Sequence, residues 1–335
     1  MSKGMKLSGL MVIAIVVIVI GISIGSASAS FADVCQVIMN QLMGRSEAGI
    51  MPTIILDVRL PRVLMSFIVG AMIAVSGTVM QSLLNNPLAS PYTLGISSGA
   101  SFGAALMLTI GVPLLGLSSY LVPVNGFVFG CLTVLIVLLF AKKTAHQMDN
   151  QTIILVGMIV GLFINALLTL LSVFSDDYLK AIVYWQLGSF ASSHYAQILW
   201  LALLLVLGLV VFIRFSRELD ILTLGDEQAM TTGLETQKLK VFFIGLCCLL
   251  TGSAISFVGI IGFVDLVAPH LVRKVFGHHH RWVIPSSALV GGILMVFADL
   301  ISRTIIAPRE IPVGAVTALI GSPFFAYLFL KKGPD

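Results

Sequence analysis

Four arginines stand out as residues able to do chemistry: Arg59 and Arg62, separated by Leu60 and Pro61, and Arg303 and Arg309 near the far end of the chain. A guanidinium is a fixed fork of donors that matches a carboxylate, so these residues suit recognition of acidic side chains. Two structural roles fit as well: snorkelling to a lipid headgroup, or an internal pair such as Asp299 with Arg303 one helical turn later. A second constellation is LTLGDEQAMTTGL at 222–234. Its acids Asp226 and Glu227 favour a helix N-terminus, and Gly225 and Gly233 allow sharp turns on either side. His278, His279 and His280 have the composition of a metal tract, but beside Arg281 they read as a solvated loop, and no metal site is expected. Asp265 and Asp299 sit in apolar surroundings, where each is expected to pair with a neighbour or lie at an interface. The sequence has no GxxxxGK(S/T) phosphate loop and no HExxH. Any energy must therefore come from a partner, and the chain is not expected to be an enzyme.

The elements that position these residues follow from composition. Of 335 residues, 58% are hydrophobic and 10% charged, whereas a soluble domain carries about 25% charge. A membrane-crossing helix needs about 20 apolar residues, and ten candidate segments occur, at roughly 7–31, 63–84, 93–116, 120–141, 152–174, 196–213, 241–258, 263–276, 283–302 and 312–330. Helices satisfy their own backbone hydrogen bonds in lipid, so the expected fold is an all-α polytopic bundle, a single domain over 1–335, rather than a barrel. The eighth segment is short and holds Asp265, Pro269 and His270. With ten spans and the N-terminus inside, 13 of the 19 basic residues fall on the inner side, which predicts that both termini are cytoplasmic. The segment 215–240 then lies on the cytoplasmic face as short helices. Lys3, Lys6 and the ASAS at 27–30 also fit a secretory signal peptide. The apolar stretch is long for one and runs straight into the bundle, so a retained first helix is expected. The four cysteines do not form a disulfide framework: three lie inside apolar segments and Cys35 stands alone. A net charge of +4 is no nucleic-acid signal.

The densest run of helix breakers is NNPLASPYTLGISSGASF at 85–102. Asn85 and Asn86 can cap backbone groups and Pro87 cannot continue a helix. Gly95, Gly99 and Gly103 follow at four-residue spacing, on one helix face, where small residues let backbones approach closely in lipid. The stretch is expected to be a tight turn feeding a deeply packed helix.

Several motifs occur in order: RLPRVL at 59–64, SGTVMQSLLNNPLASPYTLGISSGA at 76–100, WQLGSF at 185–190, LTLGDEQAMTTGL at 222–234, GFVDLVAPHLVR at 262–273, ADLISR at 298–303 and EIPVGAVTALIGSPFF at 310–325. Together they make the chain from about residue 55 resemble the permease subunits of type II ABC importers, the FecCD or BtuC-like family, which carry iron–siderophore complexes, haem or cobalamin. Ser90 stands where many relatives have an acid, and Thr232 where many have Leu.

The resemblance implies ten helices in each subunit of a permease dimer, homodimeric or built with a paralogue. Two cytoplasmic P-loop ATPase subunits would carry ATP and magnesium, and an extracytoplasmic binding protein would deliver the ligand. It implies no cofactor on this chain, no nucleic-acid partner, and a multi-pass location in a prokaryotic plasma membrane. It places binding-protein docking at Arg59, Arg62 and Arg303; Arg309 is a weaker addition from its position alone. It places ATPase coupling in the segment holding Leu224, Gly225, Asp226, Glu227, Gln228, Ala229 and Gly233. It also puts the segment 152–174, with Gly157, Gly161 and Asn165, at the translocation path. There Asn165 either lines the pore or makes a helix–helix hydrogen bond. The preceding loop HQMDNQ, with Asn150 and Gln151, is a candidate gate.

Two other classes fit the sequence less well. An ion-coupled secondary transporter would carry charged residues near mid-membrane, and these are sparse. A membrane-embedded enzyme would need a catalytic motif, and none occurs. Among cargoes, the 85–102 wording is closest to iron–siderophore members; haem and cobalamin remain alternatives.

Overall fold

The computed structural model describes residues 2–25, 30–45, 49–110, 118–144, 149–175 and 178–331. Among the described residues the regular elements are all helical. Seven helices are long and apolar enough to cross a membrane. They are α1 (Lys3–Ser23), the continuous run Ile50–Leu83, α6 (Ser118–Thr144), α7 (Asn150–Val173), α9 (Tyr195–Arg214), α12 (Thr236–Val258) and α14 (His280–Thr304). The run Ile50–Leu83 consists of α3 (Ile50–Thr53), a π-helical turn Ile54–Arg59 and α4 (Leu60–Leu83). Shorter helices complete the bundle: α2 (Phe31–Leu42), α5 (Ile96–Thr109), α8 (Leu179–Leu187), α10 (Ser216–Leu222), α11 (Asp226–Thr231), α13 (Val264–Phe276) and α15 (Val313–Lys331).

Each of the ten expected segments is occupied by a helix, with corrected bounds. The first ends at Ser23, where Ile24 turns extended, and not near residue 31. Residues 27–29 of the ASAS stretch lie outside the described residues. The second begins at Ile50, so Arg59 and Arg62 lie inside a helix and not in chain beyond its end. Helices α5 and α13 have 14 and 13 residues. At about 1.5 Å per residue they reach roughly 20 Å, short of a hydrocarbon core of about 30 Å. Sequence reasoning missed α2, whose start is set by a capping box between Ser30 and Asp33.

The core is organised on α4, most of whose residues are buried, and α14 crosses it. In lipid there is little hydrophobic drive between helices, so close backbone approach matters more. A Cβ on Gly70 would lie 2.4 Å from the Gly291 carbonyl oxygen, and only glycine at both positions permits this crossing. The same device sets α5 on α6: a Cβ on Gly99 or Gly103 would come within 2.6 Å of the Phe129 or Asn125 carbonyl oxygen. Gly95 turns the chain between the 3-10 turn Pro91–Leu94 and α5 at φ +79. In the break before it, the Asn86 side chain accepts from the Leu88 N–H at 2.9 Å, Ser90 caps the 3-10 turn, and the Ser90 hydroxyl donates to Asp265. By contrast α7 has 22% of its apolar window buried, chiefly along the Gly157–Gly161 edge, where a Cβ on Gly157 would meet the Thr93 carbonyl oxygen at 2.5 Å.

Candidate functional site

Polar chemistry gathers at the two ends of α4. At its N-terminal end the π turn widens the helix, and Arg59 and Arg62, three residues apart, share one buried face. Arg59 donates to the carbonyls of Ile22 and Ser23 at 3.1 and 2.9 Å, and Arg303 donates to that of Gly21. Two guanidiniums thus cap the carbonyl end of α1, where the helix dipole favours positive charge. Arg62 donates to Asp299 at 2.9 Å and forks onto both carboxylate oxygens of Glu310, at 2.6 and 3.0 Å. Asp299 also lies 3.4 Å from Arg303. The cluster therefore holds three buried arginines and two acids, of which Glu310 is partly exposed. All three arginines are buried and engaged within the chain, and the internal Asp299–Arg303 pair expected as one structural role is present. Arg309 is exposed.

The other end of α4 meets the 215–240 segment. Gly225 at φ +103 and Gly233 at φ +84 make the turns that bracket α11, and Asp226 and Glu227 occupy its first turn. Leu219 and Leu222 are buried, while Leu224, Glu227 and Gln228 face outward and Ala229 faces inward. Beside them a cleft of about 880 Å³ is lined by Gln81, Asn86, Pro87, Leu224, Arg273 and Lys274, among others. Two polar clamps hold the segment. In the first, Asp220 of α10 accepts from the His280 N–H at 2.9 Å and lies 2.6 Å from its Nδ1, while Nε2 lies 2.7 Å from the Ser82 hydroxyl of α4. Partial burial pulls the Asp220 carboxyl upward, but the bonds from His280 outweigh it and hold it below the ordinary carboxylate value. In the second, the fully buried Lys240 donates to Asp226 and, at 2.5 Å, to Asn150 Oδ1 at the start of α7.

The second clamp brings together two groups that sequence reasoning kept apart, Asp226 of the expected coupling segment and Asn150 of the candidate gate. Gln151 is exposed next to Asn150, and residues 146–148 of the HQMDNQ loop lie outside the described residues. Asn165 is exposed on the outer face of α7, so it does not pack into this chain's interior. Lys240, Asp220, Glu310 and His280 were missed as site residues. In sequence Lys240 is one more basic residue on the inner side. The reading of the His278–His280 tract as solvated holds for His278 and His279 but is corrected for His280, which is buried.

Comparison with known proteins follows the same lines. The model of the FecCD transport family matches residues 13–331. An uncharacterized ABC transporter permease protein of Bacillus subtilis is 38% identical over 92% of this chain and 89% of its own. The hemin transport system permease protein of Yersinia pestis is 35% identical over 97% of this chain and 95% of its own. Other relatives are named for import of cobalamin, Fe(3+) dicitrate and molybdate. A solved structure described as an inward-facing conformation of a metal-chelate type ABC transporter superposes with a TM-score of 0.85 at 32% identity, covering 98% of this chain and 99% of that one. Matched along nearly its whole length and sharing this fold, the chain belongs to the FecCD transport family, as a multi-pass permease whose ATPase is a separate subunit.

Proposed function

We propose that this permease carries an iron–siderophore complex through a pathway formed with a second permease subunit, from an extracytoplasmic binding protein to the cytoplasm. The observation that carries the cargo reading is the free face of α7. Leu155, Met158, Leu162, Ala166 and Leu170 are exposed there, with Asn165 and Thr169 as the polar groups. A bulky chelate whose charge is already enclosed passes such a wall without strong contacts. A small oxyanion such as molybdate would call for cationic lining, which this face does not offer. Both termini and the α10–α11 end are assigned to the cytoplasm, where α11 and the adjoining cleft receive the ATPase. The arginine end of α4 is assigned to binding-protein docking. Because Glu310 occupies the Arg62 fork, a docking carboxylate there has to displace Glu310 or add beside it at Arg309.

Haem is the second reading, favoured by the hemin permease relative. The test is to purify the partner binding protein from iron-limited cells and identify its ligand by mass spectrometry, then measure uptake of that ligand into proteoliposomes. A ferric siderophore, bound and transported, supports the proposal. Bound haem or cobalamin overturns the cargo and leaves the importer reading standing.

A further inference from the structure

Lys240 is an anomaly on energetic grounds. It lies in the second turn of α12 and is 1% exposed, and a buried ammonium is tolerated only while its counterion stays in place. Its carboxylate, Asp226, sits on α11, a six-residue helix with little of its own to hold it. Its second acceptor, Asn150, is the first residue of α7, one position after Asp149, whose side chain accepts from the Thr152 N–H at 3.3 Å. One side chain therefore joins α11, α12 and α7.

The surroundings divide into parts that can turn and parts that cannot. Gly225 and Gly233 hold positive φ, and nothing lies within 4 Å of a Cβ at either, so both turns beside α11 are open, and Ala229 is the one fully buried residue of that helix. Helix α10 is fixed: Leu219 and Leu222 are buried, and Asp220 is bound to His280, which in turn reaches Ser82 of the central helix. Helix α7 packs on the rest of the chain along a single edge, Ile153, Gly157, Gly161 and Leu168, and its other faces are largely exposed.

We propose that Lys240 is the strut that passes displacement of α11 to the N-terminus of α7. If α11 moves with Asp226, Lys240 must follow or be left as an uncompensated buried charge. Asn150, on the same ammonium, is drawn along, and with it the start of the helix whose free face borders the pathway. This deepens the coupling role of α11 given above and rests on it. A double clamp with opposite duties results: Asp220–His280 anchors the segment to α4 and α14, and Asp226–Lys240–Asn150 transmits.

The experiment uses the assembled permease–ATPase complex in nanodiscs, with Cys35 and Cys131 replaced. Spin labels are placed at the exposed positions Gln228 on α11, Gln151 on α7 and His279 at the start of α14. Distances are compared without nucleotide and with ATP plus vanadate. The expected result is a changed Gln228–His279 distance and an unchanged Gln228–Gln151 distance, because α11 and α7 move together. In Lys240→Met the first change persists, and the second distance now changes as well, because α7 is left behind. Transport per ATP should fall at least about fivefold, the lower range of measured site-to-site couplings. Should Lys240→Met fail to insert, Asn150→Ala keeps the ion pair and cuts only the link to α7, with the same expected uncoupling. Lys240→Arg keeps the charge and restores part of the co-movement, which a role in packing alone does not predict. An α7 that follows α11 equally well in Lys240→Met or Asn150→Ala overturns the strut while leaving the coupling reading intact. A Gln228–His279 distance that nucleotide does not alter overturns the coupling reading, and the strut with it.

Discussion

The two ends of α4 use the same ingredients, buried cations facing acids and backbone carbonyls, and arrive at different mechanics. At the arginine end the partners seen among the described residues lie on long helices or, for Glu310, on the loop from α14 to α15. Arg59 and Arg303 cap α1, Arg62 binds Asp299 on α14, and Glu310 is held by a two-pronged bond. Guanidinium forks bonded at several points to long helices make a clasp. At the lysine end a single ammonium, with no planar geometry to enforce, holds a six-residue helix between two glycine turns. A point charge bonded to a short hinged element makes a joint. What separates clasp from joint is the length and hinging of the elements that carry the charges, rather than the charges themselves.

The largest expected effect comes from breaking the clasp. Arg62→Ala leaves Asp299 and Glu310 without their shared partner. Breaking a buried pair costs about 3–5 kcal/mol. We expect a steep loss of folded permease, read by size-exclusion profile and melting temperature in detergent, with Arg62→Lys only partly better because it lacks the fork. Stability close to that of the native chain would remove the clasp from the account.

Next come two glycine substitutions that should part company. Gly70→Ala drives a methyl into the Gly291 carbonyl, and we expect a stability loss of about 1–3 kcal/mol. Gly225→Ala meets no atom but strains a backbone at φ +103, at a cost of about 1–3 kcal/mol that is confined to the segment. Gly70→Ala should therefore lower the melting temperature of the whole bundle. Gly225→Ala should mainly lower transport per ATP in proteoliposomes. Equal losses on both readouts would erase the distinction.

A smaller effect sharpens the docking role of the arginine end. Glu310→Gln frees one fork of Arg62 and makes this face more positive. Capture of the binding protein should speed up several-fold at low salt, with the gain shrinking as ionic strength rises. Surface plasmon resonance on nanodisc-held complex measures it, and slower capture would argue that Glu310 itself is a docking contact.

The smallest effect is at Asp220. Its carboxyl is held below the ordinary value in the folded chain, so its contribution is complete above the unfolded pKa of about 3.9 and is lost as pH falls through the lower folded value. Amide protection of α10 should weaken below about pH 4. Asp220→Asn should lack this acid-dependent step.

Much of this was legible in the sequence, for identifiable reasons. Close helix crossings depend on residue type and spacing, so Gly99 and Gly103 marked a closely packed face, and the structure adds that α6 is what packs on it. The Gly225 and Gly233 turns could be read because positive φ is a property of single residues. Beyond the Asp299–Arg303 pair one turn apart, the charge clusters could not be read, because burial of a charge depends on partners far along the chain. Arg62 meets residues 237 and 248 positions away, and Lys240 meets one 90 positions away. In sequence these are merely basic residues near the ends of apolar segments. The same applies to His280, whose two histidine neighbours are exposed.

The contrast between a fixed clasp and a moving joint is tested most directly by hydrogen–deuterium exchange of the assembled transporter, with and without ATP plus vanadate. The account predicts that amides of α11 and the first turn of α7 change protection together on nucleotide binding. The C-terminal turn of α1, the π turn and the C-terminal turn of α14 should keep theirs. Change concentrated in the arginine end, or change in α11 that never reaches the start of α7, would contradict it.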